Sequence, residues 1–413
     1  MAEPVTQHAR ARGRSAVVRH ETPAQRVEIG AGVVDGVGGI VSGLGGTVVG
    51  ILAGDRVWRG GLGGRVERSL GSADRVVCNE IEPHTPLSAA VRLGRRFADA
   101  GVDLILALGG GSASDLGKAT AAVMASLGRG DAQPDMSRLF ARVRADGTVS
   151  DPAVGGRPVP LVVVPTTLSG AELTPGAGVT ENGMKRVLWD QALSARVILY
   201  ETSGDNDLPA PIVATTGMNA MAHAVEAMYS TAGDAISDGL AVAGLDALTA
   251  GMARYLAAGD RGEQAKAELF TGAVLAGRAL STARVCLHHA ICHVLGAHHG
   301  VAHGDANAVM LSHVVDFNEA GAARQLARCA ATIRGAAERV LGTPLTETSP
   351  GAVLREFQTR VGAPTTLTEI GLPHVDVEDV VSGLREERGV ALNPVPVTDD
   401  DVRRLLAAAR GAA

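Results

Sequence analysis

The sequence predicts an α/β domain built on a parallel sheet, followed by an all-α domain. In the first half, short runs of β-branched residues alternate with helical stretches, a pattern typical of parallel strands covered by helices. Beyond about residue 205, those runs give way to Ala- and Leu-rich segments with helical spacing. The 413 residues include 53 Gly but only 2% aromatic residues, so aliphatic side chains and close backbone approaches must form the core.

The first half contains five apolar runs that we predict as strands, at 26–32, 47–53, 72–78, 102–108 and 161–164. Helical spacing at 84–100 and from the Gly-rich turn after 108 to 124 predicts helices after the third and fourth strands. Residues 126–158 are rich in Gly, Asp, Arg and Pro and show no clear periodicity. We therefore predict a surface excursion there.

The second half is predicted to be helical throughout, with helices at 209–229, 264–294, 307–318, 320–341 and 398–409. Three acidic residues at 399–401 favour a helix N-terminus at the start of the last of these. The change of pattern divides the chain into a mobile tail at 1–24, an α/β domain at 25–204 and a helical domain at 205–413.

Charge and cysteine usage exclude several classes of function. The 38 basic and 44 acidic side chains give a net charge of −6, so the chain has no basic excess to bind nucleic acid. No apolar run approaches the ~20 residues that a membrane span requires. The four cysteines form no C-x-x-C pair, and the N-terminus does not resemble a signal peptide. We expect a reduced, cytoplasmic protein.

A Gly-rich turn directly after the fourth predicted strand is the strongest local signal of the first half. Gly109, Gly110, Gly111 and Ser112 open a helix there, so the backbone can approach a pyrophosphate closely while free N–H groups point at it. The G-x-G-x-x-G fingerprint is absent. A tight turn without a ligand is the alternative interpretation.

Hydroxyl side chains follow the fifth predicted strand, where Thr166 and Thr167 lie beyond Pro165. Parallel strands present their carboxyl ends at one edge of the sheet, and ligands of open α/β sheets lie at that edge. Two such strand ends in one sheet favour a nucleotide-binding crevice, although a capping pair of threonines would show the same residues.

Histidines are concentrated in the second half, where eight of the chain's 12 lie between His223 and His313. Asn219 and His223 share a helix face at i, i+4, His289 and His293 share another, and His303 is predicted in a Gly-flanked turn. Four of these side chains form a candidate cluster between helices: Asn219, His223, His289 and His303. The histidines of that cluster suit Fe or Zn, or direct proton handling by neutral imidazoles, and the residues leave both open.

Four segments together resemble the iron-containing alcohol dehydrogenase superfamily. They are Gly109-Gly-Gly-Ser-Ala-Ser-Asp-Leu-Gly-Lys118, Pro165-Thr-Thr167, Gly217-Met-Asn-Ala-Met-Ala-His-Ala-Val-Glu226, and His289-Ala-Ile-Cys-His293 through His303-Gly304. Their order and spacing agree over about residues 26–410. The resemblance implies a dehydroquinate synthase-like architecture and a dinucleotide-dependent oxidoreductase that we expect to act as a homodimer.

Within that superfamily, the chain is most similar to the maleylacetate reductase branch, on segments such as 168–175, 287–289 with 291–296, and 392–398. Asn219 also matches that branch, whereas metal-dependent members carry Asp. Its members reduce the C=C bond of maleylacetate to 3-oxoadipate, generally without a metal. Ala290, where the branch usually has Lys, and Asp305 depart from the pattern. Arg284, one turn upstream, is a candidate replacement for the lost cation, but a structural arginine fits equally.

The resemblance implies NADH or NADPH as coenzyme, with its pyrophosphate over residues 109–112 and with Thr166, Thr167 and Lys185 near the ribose and nicotinamide. A small polar substrate would lie between the domains, facing the imidazoles and Asn219. Two rival functions remain at this point: a metal-dependent alcohol or aldehyde dehydrogenase that holds Fe or Zn on His223, His289 and His303, and a non-catalytic metabolite-binding scaffold. Asp55 and Arg56 follow the second strand and leave the choice of coenzyme open.

Overall fold

The computed structural model describes residues 20, 22–131, 135–143, 149–206 and 208–411. Most of the predicted tail at 1–24 lies outside these residues. The described chain contains a parallel sheet with helices on both faces, followed by a helical half, as predicted.

Six parallel strands form the main sheet in the order β1-β10-β7-β4-β2-β3. They are β1 (Arg26–Gly30), β2 (Val48–Ala53), β3 (Asp74–Cys78), β4 (Leu104–Gly109), β7 (Leu161–Pro165) and β10 (Val197–Glu201). Every residue of the central strands β4 and β7 is buried, since helices cover both faces. The sequence reasoning found five of the six and missed β10.

Two small antiparallel pairs lie outside the main sheet. Strands β5 (Arg142–Val143) and β6 (Val149–Ser150) belong to the predicted excursion, and β8 (Gly176–Glu181) pairs with β9 (Met184–Trp189) in a hairpin. The register of this hairpin pairs Thr180 with Lys185 and Gly176 with Trp189. Sequence reasoning did not predict the hairpin, which carries Lys185 towards the second half of the chain.

Five helices accompany the sheet: α1 (Val37–Gly43), α2 (Asp55–Trp58), α3 (Gly61–Leu70), α4 (Leu87–Asp99) and α5 (Gly111–Gly128). The second half contains α6 (Ala210–Tyr229), α7 (Ala235–Met252), α8 (Glu263–Ala283), α9 (Leu287–His299), α10 (His303–Leu341), α11 (Pro350–Arg360), α12 (Val377–Leu384) and α13 (Asp399–Arg410). Within the described chain, no helix is long and apolar enough to cross a membrane.

Three expectations about the helices were wrong in detail. The helix predicted at 264–294 is two helices, α8 and α9, because the chain turns at Arg284 with a φ of 63°. The helices predicted at 307–318 and 320–341 are one element, α10, with a kink at Ala322. His303 is the first residue of α10 and not part of a Gly-flanked turn.

One apolar cluster joins the sheet to the helical half. It runs from Leu52 and Ile198 in the sheet to Met221 and Phe270 in α6 and α8, and the rings of Tyr200 and Phe270 lie 4.8 Å apart. Because α6 packs in this shared core, His223, which α6 carries, is held in a fixed position relative to the sheet.

Candidate active site

The Gly-rich turn lies between β4 and α5, at the carboxyl edge of the sheet. Gly109 adopts a φ of 153°, and a Cβ on Gly110 would lie 2.9 Å from Cγ2 of Thr167. The first turn of α5 has no side-chain cap, so its N–H groups point outward as they do in helix N-termini that bind anions. The turn therefore has the geometry expected of a pyrophosphate site, with Ser112 in its first helical turn.

The second predicted strand end lies beside the first. Strand β4 pairs with β7 so that Gly109 faces Pro165, and the N–H of Thr166 donates to the Gly109 carbonyl at 2.9 Å. The structure thus brings Thr166 and Thr167 against the Gly-rich turn. Sequence reasoning anticipated this contact from the shared edge of parallel strands.

The two lysines near this edge have different roles. Lys118 is buried and donates to the carbonyls of Ala171, Thr174 and Gly176 at 2.5–2.7 Å, so it anchors the segment before β8. Lys185 lies on β9, close to Gly178 and to the carboxylate of Asp115, and its positive charge helps to lower the pKa of His303. Of the two, Lys185 is the lysine that faces the histidines.

Two of the predicted cluster residues, His223 and His303, have their ring centres within 6 Å of that of a third, His289. The rings of His223 on α6 and His289 on α9 stack at 4.9 Å, and the ring of His303 at the start of α10 lies 5.9 Å from that of His289. His303 is exposed, whereas His223 and His289 are buried. The three histidines predicted from sequence are therefore neighbours in space.

Asn219 lies one helical turn before His223 and is also buried. Its Nδ2 donates to the Ser169 carbonyl at 3.2 Å, which leaves Oδ1 buried without a hydrogen-bond partner among the described residues. The same holds for Nδ1 of His223 and Nε2 of His289. Polar atoms without partners on three neighbouring side chains indicate a site that a ligand completes.

Hydrogen bonds determine which ring nitrogen of His289 carries the proton. The Asn307 carbonyl can only accept, so Nε2 of His288, 3.0 Å away, carries the His288 proton and leaves Nδ1 as an acceptor. Nδ1 of His289 lies 3.3 Å from that acceptor and 2.6 Å from Oε2 of Glu226, so Nδ1 is the protonated atom of His289. Its Nε2 consequently keeps a lone pair.

Burial controls the charge of this cluster. It lowers the pKa of His223 and of His289 well below the usual range, and the neighbouring imidazoles lower them further. Removal from water, and after it the charges of nearby imidazoles, also lowers the pKa of His303, although water reaches its ring. The three imidazoles are therefore neutral at pH 7.

Two family models match the chain. The model described as iron-containing alcohol dehydrogenase matches residues 24–202, and the C-terminal model of the Fe-containing alcohol dehydrogenase family matches residues 213–410. The chain belongs to the iron-containing alcohol dehydrogenase family. It is an NAD(P)-dependent oxidoreductase of this family, as the residues quoted above implied.

Individual relatives within the iron-containing alcohol dehydrogenase family agree with this assignment. The chain is 31% identical over 313 residues to maleylacetate reductase from Rhizobium sp. (strain MTP-10005), which covers 75% of each protein. It is 29% identical to long-chain-alcohol dehydrogenase 1 from Geobacillus thermodenitrificans, over 81% of each. The crystal structure of maleylacetate reductase from Agrobacterium tumefaciens superposes with a TM-score of 0.76 at 27% identity, covering 96% of this chain and 98% of the other.

The family name implies a metal, so we asked whether the residues fit one. Two buried imidazole nitrogens and an amide oxygen, all without partners, are donor types that bind Fe or Zn. Among the described residues, one group of three has its ligand atoms within 4.8 Å of one another: Glu226, His288 and His289. Those atoms already bond to each other or to Asn307. His223, His289 and His303 fit a metal in donor type, but their ligand atoms do not all lie within 4.8 Å of one another, and position 219 lacks a carboxylate.

Sequence reasoning missed two residues that contact the histidine cluster. Glu226 lies three residues after His223, so the i, i+3 spacing on α6 was the available signal. His293 stacks on His303 at 5.8 Å, and its Nδ1 lies 3.1 Å from Oε2 of Glu387. Glu387 comes from a distant segment, for which the sequence offers no signal.

Proposed function

We propose that this chain is an NAD(P)H-dependent reductase of a small carboxylated enone such as maleylacetate. The observation that carries the proposal is the amide of Asn219 in a cluster of neutral imidazoles. Reduction of an enone builds negative charge on the substrate oxygen, and a carboxylate at position 219 would repel that charge unless a cation lay between them. An amide does not repel it, so an uncharged cluster suits an enolate.

Each predicted residue has a part in this proposal. Bound NAD(P)H supplies the hydride. The turn at 109–112 holds the coenzyme's pyrophosphate, and Thr166, Thr167 and Lys185 lie beside it. His223 and His303 donate hydrogen bonds to the substrate oxygen, because each neutral imidazole carries one N–H. Asn219 orients the substrate through Oδ1. Nε2 of His289, which keeps a lone pair, accepts a hydrogen bond from the substrate.

The names of several relatives support maleylacetate as the substrate. Maleylacetate reductases from Rhizobium sp., Burkholderia cepacia and Cupriavidus pinatubonensis align with 29–31% identity over 75–83% of this chain. We propose the same class of substrate for this chain. A homodimer and a cytoplasmic location remain part of the proposal.

A second candidate is a metal-dependent alcohol or aldehyde dehydrogenase. The free lone pair on Nε2 of His289, with Nδ1 bonded to Glu226, is the arrangement that metal-bound histidines usually show. His223, His289 and His303 would hold the ion, with Asn219 as a weak fourth donor. A bound cation would stabilise charge on a carbonyl or alkoxide oxygen.

One experiment separates the two candidates. Protein dialysed against a chelator is assayed for coenzyme oxidation with maleylacetate and with small aldehydes and ketones, using NADH and NADPH, before and after addition of Zn²⁺ or Fe²⁺. The reductase proposal expects turnover of maleylacetate without added metal. Turnover of aldehydes alone, and only after metal addition, would establish the second candidate instead.

A further inference from the structure

Four side chains from four separate segments meet beside α9. Cζ of Arg284 lies 3.8 Å from the ring centre of Trp189, and Cζ of Arg388 lies 5.5 Å from the same ring. Asp151, from the excursion, lies 3.3 Å from Arg284 through one oxygen and 3.2 Å from Arg388 through the other. We call this group the Trp189 cluster.

The backbone of Arg284 is strained. Its φ of 63° and ψ of 165° lie in a region that is populated almost only by glycine. Such conformations persist where the surroundings enforce them, and they occur preferentially at ligand-binding sites. Arg284 lies at the break between α8 and α9, and its guanidinium packs on Trp189. A strained backbone conformation thus positions the Arg284 side chain.

The Trp189 cluster has more positive than negative charge. Among the described residues, the carboxylate within 4 Å of both guanidiniums is Asp151, and it contacts each through a single N–H. Glu387 attracts Arg388 from further away, but its Oε2 bonds to His293. The side chains of Arg284 and Arg388 are 32% and 19% exposed, and burial lowers the pKa of both. An anion would compensate the excess charge.

The Trp189 cluster is built on the same segments as the histidine site. Side chains alternate along a strand, so Trp189 shares a face of β9 with Lys185, about 13 Å away along the strand. Lys185 faces His303, and β9 packs against α9. Arg284 is five residues before His289, which lies in the first turn of α9. Arg284 and Trp189 therefore lie on the segments that carry His289 and Lys185.

We propose that Arg284 and Arg388 form a subsite that binds a carboxylate of the substrate, with Trp189 holding Arg284 in place. This inference rests on the proposed function and deepens it, because it assigns the residues that select a carboxylated substrate. The substrate class is a small dicarboxylate whose reducible bond lies at the imidazoles and whose distal carboxylate takes two N–H donors from the guanidiniums. Asp151 keeps the two arginines together when no substrate is bound.

The test uses binding of adipate, a dicarboxylate without a reducible double bond, to the NADH-saturated protein by calorimetry. Arg284→Gly removes the guanidinium and suits the backbone at that position, so this variant should melt no lower than the wild type. We expect it to bind adipate about 10- to 100-fold more weakly, and Arg388→Gln to weaken binding in the same direction. Neutral adipamide should bind all variants alike.

Arg186→Gln is the matched control. Arg186 lies on the opposite face of β9, is 32% exposed like Arg284, and pairs with Glu386 at 3.2 Å, so its loss should leave adipate binding unchanged. Wild-type protein that does not bind adipate, or Arg284→Gly and Arg388→Gln variants that bind it as the wild type does, would overturn the subsite.

Failure of the subsite and failure of the proposed function give different results. Turnover of maleylacetate by wild type and by Arg284→Gly with the same KM refutes the subsite alone. Absence of maleylacetate turnover in the wild type, together with adipate binding that depends on Arg284, refutes the proposed substrate and retains the carboxylate subsite.

Discussion

Nδ1 of His289 lies 2.6 Å from Oε2 of Glu226, and both side chains are buried. Glu226 also accepts from the backbone N–H of His289 and from the Tyr229 hydroxyl, at 3.3 and 3.4 Å. Burial raises the pKa of Glu226, while these donors favour its ionised form. This carboxylate sets the orientation of His289, and thereby the direction in which the Nε2 lone pair points.

Substitution Glu226→Gln should impair catalysis without impairing coenzyme binding. Without the carboxylate, the orientation of His289 is no longer fixed, and we expect kcat to fall about 10- to 100-fold, the usual cost of losing such a partner. NADH affinity, measured by fluorescence titration, should not change. A general loss of structure would instead lower NADH affinity and the melting temperature together with kcat.

Removal of the imidazoles tests their proposed roles directly. His223→Ala should lower kcat by about 10²-fold or more, because the developing negative charge on the substrate oxygen loses a hydrogen-bond donor. His289→Ala should lower kcat in the same direction, because the substrate loses the acceptor at Nε2. Circular dichroism and NADH titration establish that the variants are folded. Folded variants that retain full reductase activity would show that the assigned roles are wrong.

Asn219→Asp should increase the affinity of the site for a divalent ion. The substitution adds a carboxylate beside Nδ1 of His223 and Nε2 of His289, and a charged oxygen binds Zn²⁺ or Fe²⁺ more tightly than an amide does. Metal content after dialysis against Zn²⁺, measured by mass spectrometry, should rise towards one ion per chain. Equal metal content in the variant and the wild type would mean that these atoms do not form one site.

Much of the fold and of the histidine cluster was predictable from local pattern. The buried run of β4 and the i, i+4 spacing on α6 are encoded in consecutive residues. By contrast, the break at Arg284 is enforced by tertiary packing, since arginine has no local preference for that conformation. Glu387 reaches His293 across 94 positions, and such contacts depend on the assembled fold.

His288 makes the stability of the fold dependent on pH. Burial lowers its pKa from 6.5 to about 4, so the unfolded chain binds this proton first as the pH falls. The contribution of His288 is therefore complete above pH 6.5 and is lost between pH 6.5 and 4, amounting to about 3 kcal/mol.

Comparison with the His288→Gln variant isolates the pH-dependent contribution of His288 to stability, because Gln can still donate to the Asn307 carbonyl. The difference in unfolding free energy between wild type and variant, from urea titrations, should shrink by about 3 kcal/mol between pH 7 and pH 4. A difference that does not change with pH would contradict the assignment.

Asp55 should favour NADH over NADPH. It is the first residue of α2, directly beyond β2, and Nδ2 of Asn79 donates to its carboxylate at 2.8 Å. A carboxylate at this strand end accepts from the ribose hydroxyls and repels a 2′-phosphate. We expect Asp55→Asn to lower the NADH/NADPH ratio of kcat/KM by about tenfold. An unchanged NADH/NADPH ratio would show that Asp55 does not contact the ribose.

The most direct test of the central claim is the rate of NADH and NADPH oxidation by chelator-dialysed wild-type protein in the presence of maleylacetate. A reductase with an uncharged imidazole and amide cluster should turn this substrate over without added metal, and addition of Zn²⁺ or Fe²⁺ should not be required. If neither coenzyme is oxidised with maleylacetate, with or without metal, the proposed function is contradicted.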